Sequence, residues 1–88
     1  MGVMIIKMVS GEEILVKEET GENVFSKPRV MQVMQDQSGE MRAGLVPWII
    51  TAPDATVTIS KMAIAAILDA PLDVEKSYLS STSGIALS

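Results

Sequence analysis

Two apolar segments flank a glycine-containing turn near the start of the chain, in the order Val3-Met4-Ile5-Ile6-Lys7-Met8-Val9-Ser10-Gly11-Glu12-Glu13-Ile14-Leu15-Val16. The first segment is rich in β-branched residues and is too short for a typical helix, which favours a strand. In the second, Ile14 and Val16 alternate with Leu15, the period of two that a strand requires. Because Ser10-Gly11 is a turn pair, the stretch predicts an antiparallel hairpin.

Further extended segments follow along the chain, each bounded by turn residues. Pro28 has no amide hydrogen to donate to a sheet, so we expect a third strand to begin just after it. Asp36-Gln37-Ser38-Gly39 predicts a hairpin connection. The return segment from Glu40 to Ile50 is mostly apolar but contains Gly44 and Pro47, and we expect an irregular strand there.

Two short strands are predicted in the next part of the chain. Thr56 to Ser60 shows period-two alternation, and Ala63 to Leu68 is apolar throughout. Lys61-Met62 then forms the tight corner between the two strands. Short strands separated by turns at intervals of about ten residues predict a small all-β barrel or sandwich.

The last part of the chain has a different character. Pro71 is favourable in a first helical turn, and Asp73 and Glu75 suit the N-terminal end of a helix. We therefore predict a helix of about ten residues. Its broad apolar face would contain Leu72, Val74, Tyr78 and Leu79. The final segment, Gly84-Ile85-Ala86-Leu87, is apolar enough to dock as an added edge strand.

The composition limits the classes of function. Eighty-eight residues provide room for one domain. The absence of cysteine and histidine excludes disulfides, thiolate nucleophiles, histidine-based catalytic triads and the usual zinc sites. Hydrophobic residues make up 48% of the chain, more than so small a domain can bury, so we expect a homo-oligomer. A net charge of −4 argues against broad binding to nucleic-acid phosphate.

The sequence also bears on location. No apolar run reaches the length of a membrane span. The opening residues Met1-Gly2-Val3-Met4 lack the basic region and the cleavage site of a secretory signal. We therefore expect a cytoplasmic protein with no membrane partner.

Several motifs resemble the Sm-like family of small β-barrels. The segments Ile5 to Val16 and Val57 to Ile67 are similar to the first two and the last two strands of that barrel. The likeness is closer to the Sm-like proteins encoded by tailed phages, which share three features with this chain. These are Ser10-Gly11-Glu12-Glu13, Leu45-Val46-Pro47-Trp48, and Tyr78 with Ser83-Gly84-Ile85.

The resemblance implies a fold and a mode of assembly. The fold is an SH3-like five-stranded barrel over residues 1–70, with a helix and tail over residues 71–88 that pack on the same domain. Sm-like subunits join the edges of their last two strands into rings of about five to seven copies. The residues that would form this interface are Val57, Ile59, Ile64 and Ile67.

The RNA-binding members of that family hold bases with an Asp-x-x-Met-Asn pattern and an Arg-Gly step, and neither pattern occurs here. Asn23 and Lys61 lie at the matching turns and are the residues that could contact RNA in a related way. Two hypotheses follow from the resemblance. The first is a ring-forming scaffold or interaction protein, phage-derived, that engages another macromolecule. The second is an RNA-binding ring with a degenerate motif.

An enzyme is the least supported class. The pairs Glu12-Glu13 and Glu18-Glu19 could suggest a carboxylate or metal site, but adjacent side chains of a strand point to opposite faces. Acidic residues near turns are more often solvated charge that discourages aggregation. Packing is likewise favoured over base stacking for Trp48. We predict no catalytic residues, cofactor or metal.

Overall fold

The computed structural model describes residues 2–83 of the chain. Six strands, one 3-10 turn and one helix make up this part. The prediction of an all-β domain with a short C-terminal helix is confirmed. In chain order the elements are β1 (Val3–Met8), β2 (Glu13–Glu18), β3 (Val24–Gln35), β4 (Met41–Pro47), β5 (Thr56–Thr58), the 3-10 turn (Lys61–Ala63), β6 (Ile64–Asp69) and α1 (Leu72–Thr82).

All the strands form one antiparallel sheet in the order β4-β3-β2-β1-β6, and β5 pairs with β3. The predicted barrel had five strands and was closed. The structure has six strands, and within residues 2–83 no ladder joins β5 to β6, so the sheet is not closed. Six is also the number of extended segments that the sequence predicts, and residues 48–55 leave the sheet between β4 and β5.

The predicted N-terminal hairpin is confirmed. β1 and β2 pair in a register that places Ile6 opposite Ile14. The turn is closed by the Met8 N–H, which donates to the Glu12 carbonyl oxygen at 2.8 Å. Gly11 has a φ of 103°, a left-handed conformation that strains residues with a Cβ. The glycine of the turn is therefore required by the backbone.

The start of β3 differs from the prediction, because the strand begins at Val24 and runs through Pro28. Lys17 pairs with Ser26 and Leu15 pairs with Arg29, which leaves two residues of β3 opposite one residue of β2. This arrangement is a β-bulge, and the proline lies in it at a point where no ladder donor is needed.

The prediction of an irregular return strand is also corrected. β4 is continuous through Gly44, which pairs with Gln32, and ends only at Pro47. Beyond Val30 no residue of β3 pairs with β2. The far parts of β3 and β4, residues 31–35 and 41–45, therefore form a two-stranded extension, which we term the ribbon. Its tip is the predicted hairpin connection, in which the Asp36 N–H donates to the Glu40 carbonyl oxygen at 2.8 Å.

Both faces of the central strands are buried, which explains their nearly continuous apolar sequence. The interior face carries the main core, and Trp48 packs at its margin, in agreement with the packing interpretation. The outer face carries Val3 and Leu15, which α1 covers with Val74 and Tyr78. The main core consists of Ile6, Met8, Ile14, Val16, Phe25 and Ile59.

The apolar face of α1 is narrower than predicted. Leu72 and Leu79 are exposed, whereas Val74 and Tyr78 pack against the sheet. Residues four apart share a face of a helix, and this spacing selects Val74, Tyr78 and Thr82. The tail segment Gly84 to Leu87, predicted to add an edge strand, lies outside the described residues.

The hydroxyl of Tyr78 ties α1 to the bulge of β3. It lies 3.1 Å from the Ser26 carbonyl oxygen and 2.8 Å from the Lys27 carbonyl oxygen. Lys27 has a φ of 51°, and its Nζ donates to the Thr82 carbonyl oxygen at 3.4 Å. Burial raises the pKa of Tyr78 to about 12, because a phenolate would lose its hydration there.

Candidate functional site

An opening in the sheet lies between β5 and β6. The two strands are consecutive but separate, because β5 pairs with β3 whereas β6 pairs with β1. The 3-10 turn makes this separation: the Ala63 N–H donates to the Ser60 carbonyl oxygen at 2.9 Å, and the Ser60 hydroxyl accepts from the Met62 N–H at 3.3 Å. The Val9 N–H then donates to the Ala63 carbonyl oxygen at 2.8 Å, which directs the chain to β1.

The outer edge of β6, the side that faces away from β1, pairs with no strand among residues 2–83. From Ile64 to Leu68 the strand carries no charged residue, and Asp69 is the first. Ile67 and Leu68 are exposed large apolar side chains. An edge strand offers unpaired backbone donors and acceptors, and natural edges are usually protected by charges or proline. This edge is therefore suited to pairing with another strand.

The structure gathers the four predicted interface residues around this opening. Val57 lies opposite Phe25, and it packs against the main core together with Ile64. Ile59 belongs to that core and is 6% exposed. Ile67 is 41% exposed. Contact of the four residues with a second subunit stays a prediction.

Ile67 differs from the other three in its exposure. It pairs with Ile6 of β1, so the two side chains share the interior face of the sheet. Ile6 is fully buried, but Ile67 is not, since no strand of residues 2–83 lies beyond β6 to cover it. The opening thus exposes an apolar side chain that belongs to the interior face.

Arg29 holds the loop that brings the chain to β5. Its guanidinium contacts the Pro53 carbonyl oxygen and lies 2.7 Å from Asp54 Oδ1. The arginine side chain is 8% exposed and the aspartate side chain 63%. The sequence alone does not predict this role of Arg29. The nearest sequence signal was its position after Pro28, which does not reveal a partner twenty-five residues away.

Asn23 and Lys61 lie at the same end of the β3–β5 ladder. The Ile59 N–H donates to the Asn23 carbonyl oxygen at 3.0 Å, which places the turn before β3 beside the end of β5. Lys61 follows two residues later and is exposed. Asn23 has a φ of 58°, a conformation that asparagine tolerates better than most residues. Glu22 is adjacent to Asn23, so the end of the ladder carries both signs of charge.

The described residues show little that could hold a metal. Within residues 2–83, no group of three or more Asp, Glu, His or Cys side chains is placed to bind an ion. In the same range, none of the helices has the length and apolar character needed to cross a membrane. The arrangement around β5 and β6 is suited to binding through backbone hydrogen bonds and apolar contact.

Comparison of the sequence with protein-family models and with curated proteins finds no match to this chain.

Proposed function

We propose that this chain is a self-assembling interaction module, in which β5 of one subunit pairs with β6 of the next. The observation that carries the proposal is the opening between these strands. There the apolar outer edge of β6 has no partner strand within residues 2–83, and the interior residue Ile67 is exposed beside it. An added strand would satisfy the backbone groups of the edge and cover Ile67. The completed ring would be a scaffold that engages another macromolecule.

Different edges on one subunit favour a closed assembly. When the surface on one subunit differs from the surface it binds on the next, the contact is head-to-tail, and it generates a ring if the rotation closes. The resemblance to Sm-like proteins, including those of tailed phages, supports a ring of about five to seven subunits. The large apolar fraction of the chain also supports association.

Replacement of Ile67 by lysine tests the proposal. We expect the wild-type protein to scatter light as several copies of the 9.4 kDa chain and the Ile67→Lys variant as a monomer, since the ammonium group would have to be desolvated in the interface. Size exclusion coupled to light scattering measures both masses. At 41% exposure in the monomer, Ile67 leaves room for the lysine to reach solvent, so the variant should keep its fold.

Leu79→Lys is the matched control, because Leu79 is 48% exposed and lies on α1, which packs on the outer face of the sheet and not on the interior face of Ile67. It should assemble as the wild type does. Circular dichroism of both variants confirms that the sheet is intact. A wild-type protein that is monomeric at micromolar concentration, or equal dissociation of the two variants, would rule out assembly through β6.

A second candidate function is RNA binding by the assembled ring. The hydrogen bond between Ile59 and Asn23 favours it, because this contact brings together the two turns whose counterparts bind RNA in Sm-like proteins. Lys61 supplies one cation per subunit, and a ring would present several copies of this lysine to the same RNA molecule. The net charge of −4 limits this function to a local contact.

The RNA hypothesis is tested with Lys61→Ala. If the ring binds RNA, we expect nucleic acid to co-purify with the wild type and the affinity for single-stranded RNA to fall about tenfold or more in the variant, since each subunit loses a phosphate contact. Lys76→Ala on α1 is the control and should retain the wild-type affinity. Ultraviolet absorbance ratios and fluorescence anisotropy give the two measurements. Clean protein with no measurable RNA affinity would leave the scaffold function alone.

A further inference from the structure

The outer edge of β4 is a second unpaired edge, at the opposite end of the sheet from β6. β4 contains seven residues, Met41–Pro47, and among residues 2–83 it pairs only with β3. It forms one side of the ribbon, which projects beyond the reach of β2. A two-stranded hairpin is at best marginally stable in water, and additional strands stabilise it.

One face of the ribbon is apolar. The pairs Met31 with Leu45, Val33 with Ala43, and Gln35 with Met41 place five apolar residues and one glutamine on the same face. Met31, Val33 and Met41 are each more than half exposed. The other face carries Gln32, Met34 and Arg42. A partner that extends the ribbon should therefore continue an apolar face on one side and a polar face on the other.

We propose that β4 pairs with β4 of a second copy of this chain, antiparallel about a two-fold axis at Gly44. The register follows from the length of the strand, whose middle residue is Gly44, so that all seven positions find a partner. Met41 would face Pro47 of the second copy, and Ala43 would face Leu45. Odd-numbered residues oppose odd-numbered residues, so two ribbons would join into a four-stranded sheet with one continuous apolar face.

Charge disfavours the registers whose axis lies closer to the tip of the ribbon. Arg42 is the single charged residue of β4. With the axis at Gly44, the two copies of Arg42 lie four residues apart along the strands, about 14 Å. That distance exceeds the Debye length of about 8 Å at physiological salt. An axis at Ala43 would bring them to about 7 Å, and an axis at Arg42 would place them directly opposite each other.

The side chain of Arg42 is also held on its own hairpin. Its Nε donates to Asp36 Oδ2 at 3.2 Å, which offsets its charge as a second copy approaches. The Ser38 hydroxyl, with the backbone N–H groups of Glu40 and Ser38, keeps the pKa of Asp36 below its usual value. The aspartate is thus charged at neutral pH and remains an effective partner of the guanidinium.

The middle of β4 also borders an open groove. An open groove of about 600 Å³ lies between the ribbon, where Met31, Gly44 and Leu45 line it, and α1, where Lys76, Ser77 and Ser80 line it. The opposite edge of the ribbon, residues 31–35, offers five positions rather than seven, because β3 continues from Val30 with its partner Ile14 on β2.

Gly44→Lys tests this interface without disturbing the subunit. A Cβ at Gly44 would lie no closer than 4.0 Å to any neighbour, the Met34 Cε atom, so the substitution fits the monomer. In the dimer it would place two ammonium groups together at the axis. Gln32→Lys is the matched control, because Gln32 pairs with Gly44 on the same face of the ribbon but one strand away from the edge.

The measurement is sedimentation velocity over a micromolar to millimolar series, with every variant also carrying Ile67→Lys to remove assembly through β6. We expect Ile67→Lys alone, and its combination with Gln32→Lys, to be monomers at micromolar concentration and to form dimers towards millimolar concentration. In the combination with Gly44→Lys, the dissociation constant of the dimer should rise about tenfold or more.

Disulfide formation can report the register, because the chain has no cysteine of its own. In a mixture of Ala43→Cys and Leu45→Cys proteins, mixed disulfide dimers should predominate.

A monomer at every concentration for Ile67→Lys alone would overturn the β4 interface, as would equal weakening by Gly44→Lys and Gln32→Lys. These outcomes are separate from failure of the proposed function, which appears as an unchanged mass when Ile67→Lys is compared with the wild type. If both interfaces form, the wild type should show twice the mass of the ring at high concentration, and Gly44→Lys alone should return it to the single ring.

Discussion

Replacing Tyr78 by alanine is expected to lower the free energy of unfolding by about 3–5 kcal/mol, the range for removal of a large buried aromatic side chain. The ring is fully buried between α1 and the outer face of the sheet, where it packs with Val3 and Leu15. A domain of this kind has a total stability of about 5–15 kcal/mol, so the loss would be a large part of it. Urea unfolding followed by the fluorescence of the single tryptophan, Trp48, measures the change.

Tyr78→Phe is the control that separates packing from hydrogen bonding. It keeps the ring but removes the donor to the Ser26 and Lys27 carbonyl oxygens, and we expect a loss of about 1 kcal/mol. The loss in the free energy of unfolding should therefore be several-fold larger for Tyr78→Ala than for Tyr78→Phe. If the phenylalanine variant lost as much stability as the alanine variant, the hydroxyl rather than the ring would anchor α1.

The pH dependence of stability gives a second check on the same residue. The pKa of Tyr78 rises from its usual value of 10.0 to about 12 in the folded protein, because burial disfavours the phenolate. Below pH 10 the Tyr78 hydroxyl is protonated in both the folded and the unfolded state, and its full contribution to the free energy of unfolding is present. As the pH rises from 10 to 12, the unfolded chain releases the proton first, so stability is lost over this window. Tyr78→Phe should lack this component of the loss.

Replacing Ile14 by alanine is the second large effect, with an expected loss of about 2–5 kcal/mol in the free energy of unfolding. Ile14 is fully buried in the main core and lies on the central strand pair, where it faces Ile6. Removal of three carbon atoms there leaves a cavity that the paired strands cannot collapse to fill. Thermal and urea unfolding both measure the loss.

Leu79→Ala removes the same number of carbon atoms from a side chain that is 48% exposed, and it is the matched control for Ile14→Ala. Its cost should stay below about 1 kcal/mol. Similar losses for the two variants would show that the interior face of the sheet is not the main core. The contrast also matters for function, since the same core holds β1 and β3, from which the two edges at the opening are built.

The sequence by itself determined the local elements of this protein. The short apolar run in Glu13–Glu18, the turn at Ser10-Gly11 and the polar connection from Asp36 to Gly39 all depend on neighbours close in the chain. The helix after Pro71 follows from local signals in the same way. The position of Asn23 beside β5 does not follow from local signals, because it depends on a contact with Ile59 across the sheet.

Only the tertiary structure decided where the chain leaves the sheet and which edges stay open. The bulge at Pro28 depends on the register between β2 and β3, and the buried role of Arg29 depends on Asp54. Whether β5 meets β6 depends on how far the sheet coils, a property of all six strands together. Local patterns specify which face of a strand is buried, but pairing between strands distant in sequence specifies which edge remains free for a partner.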